Sequence, residues 1–195
     1  MRRIERILCL CAALSALAIS LACSGLAATQ TASAPTLTSF TPTQTLVGNP
    51  VVITGTNLSN ATALTFNGVA VTSYTLDSAS QITAIVPTAA ITGDLTVTTS
   101  GGTATSSSAF TVLPAITALS PTYGATGSTV VLTGSGFIGT TRITFGALST
   151  AAYSAAFTVN SANQVTTTVP ADAITGAVYL TSSGSTCTGP VFTVQ

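Results

Sequence analysis

The sequence predicts an all-β protein built from two consecutive β-sandwiches that follow an N-terminal signal segment. Three observations carry this prediction. One pattern of residues occurs twice, about eighty residues apart, a length that suits a small sandwich domain. Apolar and polar residues alternate with period two, as they do in strands that bury one face. No helical periodicity follows the first 22 residues.

The N-terminus predicts a secretory signal peptide over residues 1–22. Basic residues at 2, 3 and 6 precede an uncharged apolar run over 7–22. This order is typical of an export signal, and a run of about sixteen residues is short for a transmembrane helix. We therefore expect an exported protein that contacts a membrane only through an N-terminal lipid anchor, if it carries one.

Two ends of the signal fit the sequence. Residues 20–23, Ser-Leu-Ala-Cys, resemble a bacterial lipobox, after which Cys23 would be the lipidated first residue of the mature chain. Ser20 departs from the Leu that this pattern favours. Cleavage after Ala27 or Ala28 would instead remove Cys23 and release a soluble protein. The location is therefore the cell surface or outer envelope in the first case and the extracellular medium in the second.

The rest of the chain divides into a spacer and two repeats. Residues 23–34 are small and polar without a period, which predicts a flexible spacer. The first repeat, 35–113, is called module one here, and the second, 114–195, module two. Almost nothing separates them, so we expect the junction to restrict their relative orientation.

Within each module the alternation predicts which side chains point inward. Turn residues such as Asn67-Gly68 and Gly134-Ser135-Gly136 separate the apolar runs. The predicted inward residues of module one are Val51, Ile53, Leu64, Phe66, Ile82, Val86, Leu95, Val97, Phe110 and Val112. Those of module two are Val130, Leu132, Ile143, Phe145, Val165, Val169, Val178, Leu180, Phe192 and Val194.

The repeated pattern resembles the IPT/TIG domain, an immunoglobulin-like fold of the early-set type. The residues of module one that match the family pattern are Pro42, Gly48, Gly55, Asn57, Leu58, Phe66, Gly68, Val86, Pro87, Gly93 and Phe110-Thr111-Val112. Those in module two are Pro121, Gly127, Gly134, Gly136, Phe137, Phe145, Val169, Pro170, Gly176 and Phe192-Thr193-Val194. The resemblance implies a Greek-key sandwich found in bacterial surface proteins, polysaccharide-acting enzymes, receptors and Rel-type transcription factors. It implies no single activity, because the matching positions are core and turn residues.

Composition argues against catalysis, metal binding and nucleic-acid binding. The chain has no His, four Lys or Arg and four Asp or Glu, and beyond residue 6 only Arg142, Asp77, Asp94 and Asp172 are charged. General acid–base chemistry, zinc or calcium sites and phosphate contacts all need more such groups. We expect no enzyme and no cofactor, and we expect the three Asp residues to lie in solvated turns. Cys187 has no expected disulfide partner and is predicted to be a small residue in or near a strand.

Two functions from different classes fit what remains. The first is a non-catalytic exported protein with a structural, adhesive or protein-interaction role, whose partners are other envelope or extracellular proteins or further copies of itself. The second is a glycan-binding accessory protein of a polysaccharide-utilisation system, since some sugar sites use aromatic platforms and neutral hydrogen bonds. Tyr179, expected to face outward, and Tyr153 are the candidate ligand contacts. Module two has four extra residues between Phe145 and Gln164, so the predicted loop 147–163 is the candidate recognition element.

Overall fold

The computed structural model of the chain describes residues 32–146 and 154–195. These residues form eighteen β-strands and contain no helix, which confirms the predicted all-β fold class. No helix among the described residues has the length and apolar character needed to cross a membrane. The predictions for the signal peptide, for Cys23 and for Tyr153 lie outside the described residues.

Module one contains strands β1 to β10. Two four-stranded sheets, β1-β3-β7-β6 and β5-β4-β8-β9, are accompanied by the short parallel pair β10-β2. The strands are β1 Thr36–Thr41, β2 Gln44–Thr45, β3 Pro50–Thr56, β4 Ala61–Phe66, β5 Val69–Ala70, β6 Tyr74–Ser78, β7 Gln81–Ile85, β8 Leu95–Thr99, β9 Gly102–Thr105 and β10 Thr111–Val112.

Module two contains strands β11 to β18 in the same order. Its sheets are β11-β13-β16-β15 and β12-β18-β17-β14, and β18 is continuous where module one has the separate strands β9 and β10. The strands are β11 Ala115–Ser120, β12 Tyr123–Gly124, β13 Thr129–Ser135, β14 Thr140–Phe145, β15 Phe157–Ser161, β16 Gln164–Thr168, β17 Gly176–Ser182 and β18 Ser185–Val194.

Each module has its own hydrophobic core between its sheets. Every predicted inward residue is buried except Val194, which is partly buried against the core of module two. The cores repeat in detail, because the rings of Phe66 and Phe110 meet edge to face at 5.0 Å and those of Phe145 and Phe192 at 5.2 Å. Such aromatic pairs add stabilisation beyond the area that they bury.

The backbone turns repeat as well. The amide of Gly48 donates to the carbonyl of Val86 at 2.8 Å, and the amide of Gly127 donates to Val169 over the same distance. Asn67 and Gly68, predicted as turn residues, both have positive φ angles, 44° and 81°, as the two-residue hairpin between β4 and β5 requires. The residues that the two copies share are therefore those that fix the sandwich.

The prediction of a loop over 147–163 is wrong for its second half. Residues Phe157–Ser161 form β15, the edge strand that pairs with β16 and corresponds to β6 of module one. Its sequence, Phe-Thr-Val-Asn-Ser, has the alternation and β-branched content of a strand. The four extra residues of module two therefore precede this strand.

Candidate functional site

The acidic side chains of the described residues do not converge on a site. No group of three or more metal-ligating residue types comes together there. Asp77, expected in a turn, instead lies in β6, where its two carboxylate oxygens accept hydrogen bonds from the hydroxyls of Thr75 at 2.9 Å and Thr83 at 2.6 Å. In module two Asn160 donates to the hydroxyl of Thr166 at 2.7 Å in the equivalent place. Asp77 therefore has a structural role at the edge of its sheet.

Cys187 lies in β18, as predicted, and packs against the core of module two. Its strand partner in β17 is Leu180, which is fully buried, so the thiol points inward. Burial raises the pKa of the thiol, and backbone hydrogen bonds offset part of that rise. A partly buried thiol that stays protonated is a poor nucleophile.

Two shallow clefts lie on module one, one lined mainly by polar and one mainly by apolar side chains. A cleft of about 200 Å³ is lined mainly by small and amide side chains, among them Ser33, Asn57, Asn60 and Ser100. Another of about 420 Å³ runs beside the Pro87-Thr88 turn. Neither contains an aromatic side chain or a charged group. Each lacks the convergent groups that usually mark a small-molecule site.

Tyr179 lies on the outer face of sheet β12-β18-β17-β14. Its neighbours along β17, Val178 and Leu180, are fully buried, so alternation along the strand directs Tyr179 away from the core, as predicted. It is half-buried, and it stands opposite Thr144 of β14 and Thr188 of β18. This placement puts the ring in the middle of the sheet and away from its edges.

The same face carries two further large side chains. Tyr123 of β12 is paired with Thr193 of β18 and is 58% exposed, and Val191 of β18 is paired with Ala177 of β17 and is 59% exposed. The name module-two outer face is used here for the outward side chains of this sheet: Tyr123, Arg142, Ala177, Tyr179, Thr181, Thr186, Thr188, Val191 and Thr193. Side chains so exposed add little to the core, so their contribution to stability is small.

Module one shows what this face looks like without those residues. The matching positions hold Gln44 for Tyr123, Thr96 for Tyr179, Ala109 for Val191 and Asp94 for Ala177. Both tyrosines and the exposed valine are therefore particular to module two. Comparing the two repeats position by position would have shown this difference, but alternation along single strands does not place Tyr123 and Val191 on the same face as Tyr179.

A buried hydroxyl beside Tyr179 has lost its partner. In module one the hydroxyl oxygens of Thr65 and Thr96 lie 2.6 Å apart. In module two Thr144 matches Thr65, but Tyr179 takes the place of Thr96, and the buried Thr144 hydroxyl has no hydrogen-bond partner among the described residues. An unpaired buried hydroxyl costs about 1–3 kcal/mol. A threonine in place of Tyr179 could hydrogen-bond to the Thr144 hydroxyl, as Thr96 does to Thr65, whereas the aromatic ring cannot.

The second candidate residue, Tyr153, is not among the described residues. The next residue, Ser154, forms an isolated antiparallel bridge with Thr144 of β14. Residues 147–152 also lie outside the described residues. Of the two tyrosines predicted as ligand contacts, the structure therefore places Tyr179 on the module-two outer face.

Comparison with protein-family models finds one family along most of the chain. Residues 35–112 and 114–192 both match the IPT/TIG domain. No curated protein matches the chain.

Several solved structures are similar in fold. The surface glycan-binding protein PbSGBP-B from Prevotella bryantii is 20% identical with a TM-score of 0.50, over 80% of this chain and 41% of that one. SGBP-B of a xyloglucan utilization locus in Bacteroides uniformis is 26% identical with a TM-score of 0.38, over 83% and 49%. SGBP-B of a mixed-linkage glucan utilization locus in Bacteroides ovatus is 17% identical with a TM-score of 0.36, over 84% and 46%. The chain thus spans less than half the length of these proteins.

Proposed function

Since the chain belongs to the IPT/TIG domain family, we propose that it is an exported, non-catalytic surface or secreted protein with a structural, adhesive or protein-interaction role. The main support for this proposal is the kind of residue that the two modules share. What the two modules share is core and turn, as the matching Phe pairs and the matching Gly48 and Gly127 hydrogen bonds illustrate. When a fold is duplicated but no reactive group is, the second copy adds binding surface and extends the length of the protein.

The chemistry of the side chains supports the absence of catalysis. The sequence has no His and no Lys, and its one Glu lies at position 5. A Ser or Thr nucleophile needs a neighbouring base, and a general acid needs a proton carrier near its working pKa. The described Asp residues are separate, and Asp77 is engaged by two threonine hydroxyls.

Glycan binding is the second candidate, and the outward tyrosines of module two favour it. A surface glycan-binding protein has the same fold, although at 20% identity that likeness concerns the fold alone. The specific support is that module two carries Tyr179 and Tyr123 on an exposed sheet face where module one carries Thr96 and Gln44. Aromatic rings of this kind form platforms for the apolar faces of sugars.

The proposed location is tested by the intact mass of the mature protein after expression in a bacterial host. A diacylated N-terminus at Cys23 would place the protein in the envelope, and a start at residue 28 or 29 would mean that it is released. Protease added to intact cells should digest the anchored form. An unprocessed chain that begins at Met1 and stays inside the cell would reject the proposal.

A further inference from the structure

We propose that the module-two outer face is a binding site for a neutral saccharide chain, with Tyr123 and Tyr179 as the two ring platforms. The hydroxyls of Thr188 and Thr193 would supply hydrogen bonds between the rings. The inference rests on the second candidate function, glycan binding, and adds the site and the class of saccharide.

The spacing of the two tyrosines suits an extended ligand. Tyr123 pairs with Thr193 and Tyr179 pairs with Thr188, on opposite sides of β18. With strands about 4.8 Å apart and about 3.3 Å per residue, the two tyrosines stand roughly 18 Å apart. The surface between them includes Thr188, Val191 and Thr193, all of which are exposed. A ligand that contacts both rings must therefore be several sugar units long.

The charge on this face favours a neutral ligand. Ala177 stands where module one has Asp94, so the described part of the face carries no carboxylate. Its one charged side chain is Arg142, which lies opposite Thr181 at the far end. Most of the face therefore offers hydroxyls and apolar surface, a combination that matches the hydroxyl groups and C–H faces of an uncharged sugar.

The area of the face suits a saccharide ligand better than a protein partner. β14 and β17 are six and seven residues long, but β12 has only two. Four strands of seven residues would span roughly 19 by 23 Å, or about 440 Å² in projection, so the face is smaller than this. A stable protein interface needs about 800 Å² from each partner. The face is too small to hold a folded protein firmly, but it is long enough to hold an oligosaccharide.

Stability does not explain why the aromatic residues are there. Tyr123 and Val191 are more than half exposed. Tyr179 leaves the Thr144 hydroxyl buried without a partner, although a threonine satisfies the matching hydroxyl in module one. Residues that weaken the local hydrogen bonding or packing without a compensating gain in stability are expected at functional sites.

The test is affinity gel electrophoresis of the full chain in gels that contain soluble neutral polysaccharides: xyloglucan, mixed-linkage glucan, galactomannan and starch. We expect at least one of them to retard the wild-type protein. Tyr179→Thr and Tyr123→Gln, which restore the module-one residues, should each weaken binding about tenfold, and the double variant should migrate as it does in a plain gel. Tyr74→Phe in module one is the matched control, because it changes a tyrosine away from this face and should leave retardation unchanged. Circular dichroism spectra would show that each variant is folded.

Three results would overturn the inference: no retardation in any gel, retardation that the two tyrosine variants leave unchanged, or capture of an envelope protein through this face in place of a polysaccharide. These outcomes can be told apart from a failure of the proposed function. Retardation that the two tyrosine variants leave unchanged would contradict the saccharide site alone, and binding to none of the polysaccharides would also contradict the glycan-binding candidate. A chain retained unprocessed in the cell would contradict the exported, non-catalytic role.

Discussion

The hydroxyl oxygens of Thr65 and Thr96 lie 2.6 Å apart across β4 and β8, and the matching pair in module two has been broken by a tyrosine. Module two has a threonine, Thr144, where module one has Thr65, but Tyr179 lies opposite it. The Thr144 hydroxyl has no hydrogen-bond partner in the part of the chain that the structure describes. The threonine hydroxyl at this strand position is thus hydrogen-bonded in module one and not in module two.

This difference predicts opposite effects for one substitution made in the two modules. Thr65→Val removes a hydrogen bond and should destabilise the protein by about 1 kcal/mol. Thr144→Val removes a buried hydroxyl that has no partner and should stabilise it by about 1 kcal/mol. Urea unfolding followed by circular dichroism measures both changes. Two changes of the same sign would show that the Thr144 hydroxyl is satisfied in solution.

Asn163 links the two modules through its side chain. Its amide nitrogen donates to the carbonyl of Gly134 at 2.8 Å and to the carbonyl of Thr88, in module one, at 3.3 Å. Asn163→Ser introduces the residue that module one has at Ser80, so it should cost about 1 kcal/mol and loosen the junction. Asn160→Ala, which removes a hydrogen bond within module two, is the control.

The measurement at the junction is amide ¹⁵N relaxation, which reports the tumbling of each module. In Asn163→Ser the two modules should tumble more independently than in the wild type or in Asn160→Ala. If all three proteins tumble alike, the Thr88 contact does not restrict the modules.

Two glycines allow the first and third strands of each module to approach closely. A Cβ added at Gly134 would overlap the carbonyl oxygen of Ala115, and one at Gly55 would overlap that of Thr36. We expect Gly134→Ala to destabilise module two by about 3 kcal/mol, because backbone must move to admit the methyl group. Gly127→Ala is the control, since its φ of 84° is strained for alanine but its surroundings are open, and it should cost only about 1 kcal/mol. Equal losses in thermal unfolding would exclude the close approach as the cause.

Cys187 should react slowly with thiol reagents in the folded protein. Burial raises the pKa of the thiol above its ordinary value of 9.0, so less thiolate is present at any given pH than in an unfolded chain. Because the folded pKa is the higher one, the thiol's contribution to stability is fully present below the unfolded pKa. It is lost as the pH rises through the folded value.

Titration with Ellman's reagent in buffer and in urea compares the two states of Cys187. The reaction in urea should be faster at every pH near 8. Equal rates would mean that the thiol is open to solvent in the folded protein.

The sequence predicted the core better than it predicted the site. Strict alternation of apolar and polar residues identified inward side chains such as Val51 and Leu132, because a strand with one buried face must place an apolar side chain at every second position. Val194, at the end of β18, is only partly buried, whereas its counterpart Val112, at the end of β10, is fully buried. The edge strand Phe157–Ser161 was missed because inserted residues precede it and hide its correspondence with β6.

The candidate face was only half predicted, for a different reason. Alternation along a single strand shows that Tyr179 points outward. It does not show that Tyr123, 56 positions earlier in the chain, stands on the same face, because that depends on the parallel pairing of β12 with β18. Long-range pairing of this kind becomes visible only in the folded protein.

The most direct test of the central claim, that the ligand-binding surface lies where the two modules differ, is a ¹H–¹⁵N NMR titration. The ligand would be oligosaccharides prepared from a polysaccharide that retards the protein. We expect the chemical-shift changes to be concentrated at Tyr123, Tyr179 and Thr188, and the amides of the module-one counterparts Gln44 and Thr96 to be unperturbed. Shifts spread equally over both modules, or centred on the polar cleft beside Asn57, would contradict it.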